Sequence, residues 1–186
     1  RQAMSSPGTL YGVGVGPGDP ELMTVKAWRL LSTAKVIAYL AANGSDSTAR
    51  SIAAPFLPDD AQEIIIDVPM RTEREPAQAA YDQGAAEIAT HLARGDDVVM
   101  LCEGDPFFYG SFIYVFERLA KSFDCVVVPG VTSVTACAAE MRQPLSRRDD
   151  VLKVLPATMD ADRLRDELAT CQTAAIIKVG RHFGKV

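Results

Sequence analysis

Three short turns rich in glycine and proline carry the residue types that could do chemistry in this chain. They read Gly-Val-Gly-Pro-Gly-Asp-Pro at residues 14–20, Cys-Glu-Gly-Asp-Pro-Phe-Phe-Tyr-Gly-Ser at residues 102–111 and Val-Pro-Gly-Val-Thr-Ser at residues 128–133; we call them the first, second and third turns. Each follows a short apolar run and precedes a helix-like stretch. Turns after parallel strands line the sheet edge where ligands bind, and glycine lets a backbone approach a ligand closely. The three turns therefore predict a built pocket.

The first turn does not fit the patterns that bind phosphate. In a Gly-x-Gly-x-x-Gly fingerprint counted from Gly12, Pro17 stands where the third glycine belongs, and counted from Gly14, Asp19 does. Pro17 and Pro20 have no N–H to donate to a phosphate, and Asp19 would repel one. Taken alone, this turn is typical of an ordinary connection from strand to helix.

The second turn carries two acids, Glu103 and Asp105, and no base. Such a turn suits hydroxyls, amines or a cation better than a phosphate, because carboxylates accept hydrogen bonds and attract positive charge. The aromatic residues 107–109 could flank a flat ring or pack into the core. In the third turn, Thr132 and Ser133 could donate hydrogen bonds to a ligand or cap the helix that follows.

Apolar runs and helix-like stretches alternate along the chain, which predicts an α/β fold with a parallel-dominated sheet covered by helices on both faces. In residues 24–34, Val25, Trp28 and Leu31 predict a buried helical stripe. Three consecutive isoleucines at residues 64–66 predict a strand buried on both faces. The predicted strands are residues 10–15, 35–39, 63–68, 97–102 and 124–128, and the predicted helices are residues 24–34, 47–56, 76–94, 112–121 and 134–141.

A charged segment at residues 142–150 breaks this alternation, and a new unit follows it with a strand, a helix and a strand at residues 152–155, 160–170 and 174–179. We therefore expect an N-terminal α/β lobe at residues 9–148 and the start of a C-terminal α/β lobe at residues 149–186. So small a unit cannot bury a core of its own, so we expect it to be incomplete in this chain and to expose apolar surface near Ile176 and Ile177. Residues 1–8 are expected to form a frayed terminus.

Composition limits the function classes. The chain of 186 residues is 48% hydrophobic and 23% charged, with no apolar run of the ~20 residues that span a bilayer. We expect a cytoplasmic protein without a membrane partner. A net charge of −5 argues against nucleic acid as a partner. The four cysteines are widely spaced, which predicts reduced thiols and no metal site. Of the two histidines, His91 lies in the middle of a predicted helix and His182 near the last strand, so no catalytic cluster is predicted.

The three turns, in this order and spacing, resemble the tetrapyrrole methyltransferases of the cobalamin and sirohaem pathways, and most closely the members that methylate carbon 20 of precorrin-2. One departure is the pair Met141 and Arg142, where the family leads us to expect a smaller residue or glycine. The stretches that carry the resemblance are residues 12–22, 104–112, 128–139, 144–152, 154–158 and 177–181.

The resemblance implies an S-adenosylmethionine-dependent enzyme, a homodimer with the methyl donor in a cleft between two α/β lobes, that transfers a methyl group to a meso carbon of precorrin-2 in cobalamin and porphyrin biosynthesis. The general base, if any, and the presence of cobalt in the substrate stay open. The cofactor contacts carried over from the family are Pro17, Gly104, Asp105, Pro106, Ser111, Thr132, Ser133 and Val179.

Precorrin-2 carries many carboxylates, so an acidic protein needs local basic groups to bind it. Candidates are Arg147 and Arg148 in the charged segment and Lys178 and Arg181 after the last strand; Lys185 is expected to be a solvated charge. Two alternatives stay open. One is a methyltransferase of the same fold that acts on another tetrapyrrole, on RNA or on a protein residue. The other is a non-catalytic nucleotide-binding module, which the failed phosphate fingerprints disfavour.

Overall fold

The structure is a computed structural model that describes residues 6–69 and 75–186. Its contacts divide the chain into two units, one ending at Thr132 and one running Ser133–Val186. The sequence predicted a lobe boundary between residues 148 and 149. The contacts divide the chain earlier than that, and the helix that begins at Ser133 groups with the second unit.

The first unit is built around five parallel strands in the order β3-β2-β4-β1-β5. This confirms the predicted fold class. Two short 3-10 turns, Pro20–Leu22 and Ala54–Phe56, accompany the regular elements. The strands are β1 (Leu10–Gly14), β2 (Val36–Ala42), β3 (Gln62–Val68), β4 (Val98–Cys102) and β5 (Cys125–Val128), and the helices are α1 (Val25–Leu31), α2 (Thr48–Ala53), α3 (Glu75–Ala93) and α4 (Phe112–Leu119).

Helices cover both faces of this sheet, and each face has its own apolar cluster. Side chains of α1 and α2 pack on one face, and side chains of α3 and α4 pack on the other. The chain leaves β1 toward the α1 face and β4 toward the α4 face, although β1 and β4 are neighbours. A place where adjacent strands send their connections to opposite faces opens a crevice at their carboxyl ends, where α/β proteins bind ligands. The first and second turns leave the sheet at this place.

The strand with three isoleucines differs from the prediction, because β3 lies at the edge of the sheet. Ile64 and Ile66 are buried against the α3 face, whereas 57% of the surface of Ile65 is exposed. On the exposed side, Glu63 forms an ion pair with Arg50 of α2 at 2.9 Å. A run of isoleucines cannot distinguish an edge strand from a central one, since the position in the sheet depends on pairing with distant strands.

The buried face of α1 also differs from the prediction. The helix begins after Thr24, whose hydroxyl accepts a hydrogen bond from the Ala27 backbone N–H at 3.1 Å. Ala27 and Leu31 are fully buried, while Val25 and Trp28 are 66% and 49% exposed. Ala27 and Leu31 are four residues apart and therefore lie on the same face of the helix, the face that is buried. The prediction chose a different face because Val25 and Trp28 are larger than Ala27.

Only part of the predicted frayed terminus lies within the described residues, since residues 1–5 are outside them. Gly8 does not behave as expected: its N–H donates to the Leu92 carbonyl at 2.8 Å, and an added Cβ would lie 2.0 Å from the Asp96 carbonyl oxygen. Among the helices in residues 6–69 and 75–186, each is too short or too polar to cross a membrane.

The second unit contains α5 (Ser133–Glu140), β6 (Leu152–Pro156), α6 (Ala161–Leu168), β7 (Thr173–Ile177) and a 3-10 turn at Gly180–His182. β6 and β7 form a parallel pair, and Leu155 and Leu164 are buried. The Lys153 ammonium donates to the Glu167 carboxylate at 2.7 Å and ties β6 to the end of α6. Ile176 and Ile177, predicted to lie near exposed apolar surface, are half-buried.

The end of α5 explains why a glycine was expected at Arg142. The Arg142 N–H donates to the Ala139 carbonyl at 3.0 Å and the Gln143 N–H to the Ala138 carbonyl at 3.0 Å. This pair of bonds is a Schellman motif, which places the residue after the helix cap in the left-handed conformation. Arg142 has a φ of 53°, a conformation that glycine adopts without strain and arginine does not.

Candidate functional site

The first and second turns are joined by their backbones at the carboxyl edge of the sheet. The Gly104 N–H donates to the Gly16 carbonyl at 2.8 Å, and the Gly16 N–H donates to the Gly104 carbonyl at 3.3 Å. Gly16 has a φ of 82° and Gly104 a φ of 64°. Both values lie in the left-handed region, so the join depends on glycine at both positions.

The third turn comes equally close to the other two. An added Cβ on Gly130 would lie 2.0 Å from the Gly104 carbonyl oxygen, and one on Gly14 would lie 2.8 Å from the Gly130 Cα atom. No side chain fits between backbones at these distances. We call the meeting point of Gly14, Gly104 and Gly130 the glycine junction. It brings together three of the strand ends, as the sequence predicted for the turns as a group, although Gly14 and Gly130 were not among the predicted site residues.

Asp105 ties the junction together through its side chain. Its Oδ1 atom accepts a hydrogen bond from the Phe107 N–H at 2.9 Å, inside the second turn. Its Oδ2 atom accepts one from the Gly130 N–H at 2.9 Å, across to the third turn. The prediction placed Asp105 in a cofactor site, and the structure adds a role that the sequence did not signal, since the partner is 25 positions away.

A Cβ on Gly104 would cause no clash with residues beyond its two chain neighbours. A Cβ there would meet only the Val131 carbonyl oxygen at 3.8 Å and the Thr132 Cα atom at 4.0 Å, which is ordinary contact distance. Pro17 and Thr132 are half-buried at this edge. Gly104, Thr132 and the first turn thus come together as the sequence predicted.

Other predicted cofactor residues lie differently. Pro106 is buried. Ser111 precedes α4 and shares a hydrogen bond with Tyr81, whose pKa is raised because burial disfavours its ionised form. Ser133 is the first residue of α5, and Val179, half-buried, precedes the 3-10 turn of the second unit.

The aromatic residues of the second turn are partly exposed, and one of them packs on α4. Phe107, Phe108 and Tyr109 all lie at the surface, and Phe112 is the buried ring. Phe107 contacts Phe116 edge-on with centroids 5.0 Å apart. The prediction left two uses open for these rings: Phe107 packs on α4, while Phe108 and Tyr109 contact each other edge-on with centroids 5.2 Å apart.

Cys102, the last residue of β4, is fully enclosed beneath the second turn. Burial raises the pKa of its thiol far above the usual value. The thiol therefore stays protonated and is unsuited to act as a nucleophile.

The predicted basic residues belong to the second unit and stand in solvent. Arg147, Arg148, Lys178 and Arg181 are all exposed. The Arg147 backbone N–H donates to the Asp150 carboxylate at 2.8 Å, while Arg148 and Lys178 have φ values of 47° and 56°. Non-glycine residues in this region are uncommon and concentrate at functional sites. Lys185, expected to be solvated, donates to the Met159 carbonyl.

The two histidines have different surroundings. His91 is buried near the amino ends of the strands, where its Nδ1 atom lies 3.3 Å from the Asp96 carboxylate and its Nε2 atom 3.4 Å from the Gln62 amide. The strand ends at Gly14 and Cys102 lie at the opposite edge, so His91 stands apart from the glycine junction. His182 is half-buried in the last 3-10 turn.

Comparison with known proteins identifies the fold family. The chain matches the sequence model of the family described as Tetrapyrrole (Corrin/Porphyrin) Methylases over residues 9–186. The chain belongs to this family. The resemblance drawn from the three turns is thereby confirmed.

Two curated relatives are similar over nearly the whole chain. A cobalamin biosynthesis protein CobIJ from Mycobacterium bovis is 44% identical over 98% of this chain, which spans 38% of that relative's length. A precorrin-2 C(20)-methyltransferase from Sinorhizobium is 42% identical over 96% of this chain and 76% of its own length.

Solved structures agree with the fold. Cobalt precorrin-4 methyltransferase CbiF superposes with a TM-score of 0.69 at 27% identity, covering 96% of this chain and 72% of that one. Uroporphyrin-III C-methyl transferase from Thermus thermophilus in complex with S-adenyl homocysteine gives a TM-score of 0.65 at 28% identity, covering 94% of this chain and 72% of that one.

Proposed function

We propose that this chain provides the methyl-donor site of an S-adenosylmethionine-dependent methyltransferase that methylates carbon 20 of precorrin-2 in cobalamin biosynthesis. The observation that carries the proposal is the glycine junction. It stands at the reversal point between β1 and β4, in a chain whose relatives include a precorrin-2 C(20)-methyltransferase at 42% identity.

The junction fits the chemistry of S-adenosylmethionine, which carries a sulfonium cation, an amine, a ribose diol and an adenine, and no phosphate. A Cβ on Gly104 would meet its nearest neighbouring atoms at ordinary contact distance, so we expect that a ligand atom can lie against this backbone without a clash. Glu103 of the second turn and Asp19 of the first turn are exposed carboxylates near this edge, and carboxylates attract cationic and hydroxyl groups. The residues proposed to hold the methyl donor are Pro17, Gly104, Asp105, Pro106, Ser111, Thr132, Ser133 and Val179.

The proposed mechanism relies on alignment. When bound, S-adenosylmethionine supplies an electrophilic methyl group, and a meso carbon of a reduced tetrapyrrole is nucleophilic through conjugation with pyrrole nitrogen. The turns would align the donor with that carbon and exclude water, which lowers the barrier without a strong base. The products would be the methylated tetrapyrrole, S-adenosylhomocysteine and the proton displaced from the meso carbon. Cys102 is protonated and buried, and His91 is paired at the far edge, so neither takes part.

The substrate would be held by basic side chains of the second unit. Arg147 and Arg148 stand in solvent with guanidinium groups that can grip a carboxylate through two parallel hydrogen bonds. Lys178 and Arg181 extend the set of positive charges after β7. We also propose that the protein acts in the cytoplasm as a homodimer, without nucleic acid or membrane as a partner, which its net charge of −5 supports for nucleic acid.

The test begins with calorimetric titration of the intact protein with S-adenosylhomocysteine, NADH and ATP in parallel. We expect binding of S-adenosylhomocysteine alone. Methyl transfer from labelled S-adenosylmethionine to precorrin-2 is then followed by mass spectrometry, with cobalt-precorrin-2 as a second substrate. Binding of NADH or ATP in preference, or methylation of RNA with no methylation of a tetrapyrrole, would contradict the proposal.

A further inference from the structure

We propose that Asp105 is a positioning residue that holds the third turn against the second, so that the methyl donor is gripped by backbone and not by this carboxylate. The inference deepens the proposed function and rests on it for the identity of the ligand. Its structural half, the link between two turns, stands on the hydrogen bonds of Asp105 alone.

The chemistry of the two hydrogen bonds requires an acceptor at both side-chain oxygens. Phe107 and Gly130 each present a backbone N–H, at 2.9 Å from Oδ1 and 2.9 Å from Oδ2. A carboxylate accepts at both atoms, whereas an asparagine side chain accepts at one and donates at the other. Asparagine would therefore place its amide NH2 group opposite a backbone N–H at one of the two turns, where both groups are donors and neither accepts. Two backbone N–H groups of the protein itself therefore account for an aspartate at this position.

The bond to Gly130 works together with close backbone contact. The Gly130 backbone already touches the Gly104 carbonyl oxygen, since a Cβ on Gly130 would lie 2.0 Å from it. The hydrogen bond from the Gly130 N–H to Asp105 adds a direct link between the two turns at this contact. Thr132 follows two residues later, and its Cα atom lies 4.0 Å from the position of a Gly104 Cβ. Asp105 thus sets the width of the space beside Gly104.

The first variant for the test is Asp105→Asn in the intact protein, with Asp105→Ala as the stronger change. Affinity for S-adenosylhomocysteine is measured by calorimetry, and exchange of the Gly130 and Phe107 amide hydrogens is measured by NMR in the same samples. We expect affinity to fall roughly tenfold or more, as for loss of a hydrogen bond to a charged group, and protection of the Gly130 amide to fall with it.

Asp97→Asn is the matched control. The Asp97 Oδ1 atom accepts a hydrogen bond from the Thr9 N–H at 2.8 Å, which an amide oxygen can also accept, so this variant makes the same substitution at the amino ends of the strands and keeps the bond. We expect it to leave affinity for S-adenosylhomocysteine unchanged.

Two results would overturn the proposal. One is a loss of affinity in Asp105→Asn with Gly130 protection intact, because the carboxylate would then touch the ligand directly. The other is a wild-type Gly130 amide that loses protection when S-adenosylhomocysteine binds, because Asp105 would then have left the third turn to meet the ligand. If wild type does not bind S-adenosylhomocysteine, the proposed function fails, and exchange in ligand-free Asp105→Asn still decides whether Asp105 holds the third turn. If Asp105→Ala does not fold, Asp105→Asn and the wild-type exchange data carry the test.

Discussion

In the first unit, the predicted site residues come from turns whose backbones touch; in the second unit, the predicted substrate-binding residues are long, exposed basic side chains. The glycine junction leaves no room for a Cβ at Gly130 or Gly14, while Arg147, Arg148 and Arg181 are exposed. In the first unit, the contacting backbones fix the shape of the turns. In the second unit, the basic side chains supply positive charge. Substitutions in the two units should therefore fail in different ways: those at the junction lose the methyl donor, and those at the basic residues lose the substrate.

The largest effect is expected at the junction, from Gly14→Ala. Its Cβ would lie 2.6 Å from the Gly104 carbonyl oxygen and 2.8 Å from the Gly130 Cα atom, and backbone cannot give way as a flexible side chain can. We expect a loss of roughly 1–3 kcal/mol in stability from overpacking and loss of detectable S-adenosylhomocysteine binding, measured by urea denaturation and calorimetry. Gly184→Ala is the control, because a Cβ there meets nothing within 4 Å. Tight binding by Gly14→Ala would show that the junction does not shape the site.

A smaller effect is expected from replacing Arg147 and Arg148 together with alanine. These side chains are proposed to bind substrate carboxylates away from the methyl-accepting carbon, so the substrate KM should rise about tenfold or more while affinity for S-adenosylhomocysteine stays the same. Steady-state kinetics with precorrin-2 gives the first quantity and calorimetry the second. Arg163→Ala, an exposed arginine on α6, is the control. Normal turnover by the double variant would mean that the two arginines are solvated charges that do not bind substrate.

The smallest effect, and one of opposite sign, is expected from Arg142→Gly. Glycine relieves the left-handed φ of 53° at the end of α5 and keeps both hydrogen bonds of the Schellman motif. We expect a gain of about 0.5–1 kcal/mol, less than the full strain because glycine also makes the unfolded chain more flexible. The midpoint of urea denaturation measures it. Gln143→Gly, at the next residue, should be neutral or destabilising. Equal stabilisation by both variants would mean that φ strain at Arg142 is not the cause.

Much of the fold was predictable because apolar runs and turn residues repeat in chain order. The alternation gave the parallel sheet and its two covered faces, and Thr24 and Gly95 stand where α1 and α3 were expected to begin and end. The exposure of Ile65 was not predictable, since it follows from the position of β3 at the edge. The buried face of α1 was predicted wrongly because the small side chain of Ala27 contributes little to the hydrophobic pattern of the sequence.

The sequence predicted which three turns form the candidate site. It did not predict the contacts that the turns make with one another. Glycine at Gly104 and the acid at Asp105 suggested a ligand pocket, and the family resemblance supplied residue roles that stay predictions. The hydrogen bond from Gly130 to Asp105 joins residues 25 positions apart, and no local pattern encodes such a pair. The sequence did contain one signal, a glycine in each of the three turns. Interpreted as a sign that the three backbones lie in contact, it would have predicted the glycine junction.

The position of β1 in the sheet has a consequence for how the protein folds. β1 precedes its two partner strands, β4 and β5, by a long stretch of chain: Leu10 lies beside Val98 and Cys125. At about 5–20 residues per second, a ribosome needs several seconds to add the residues from β1 to β4 and β5, and the first turn waits unpaired during that time. Pairing over such sequence separation also slows folding once the chain is complete. The glycine junction can therefore assemble only late, when β5 is in place.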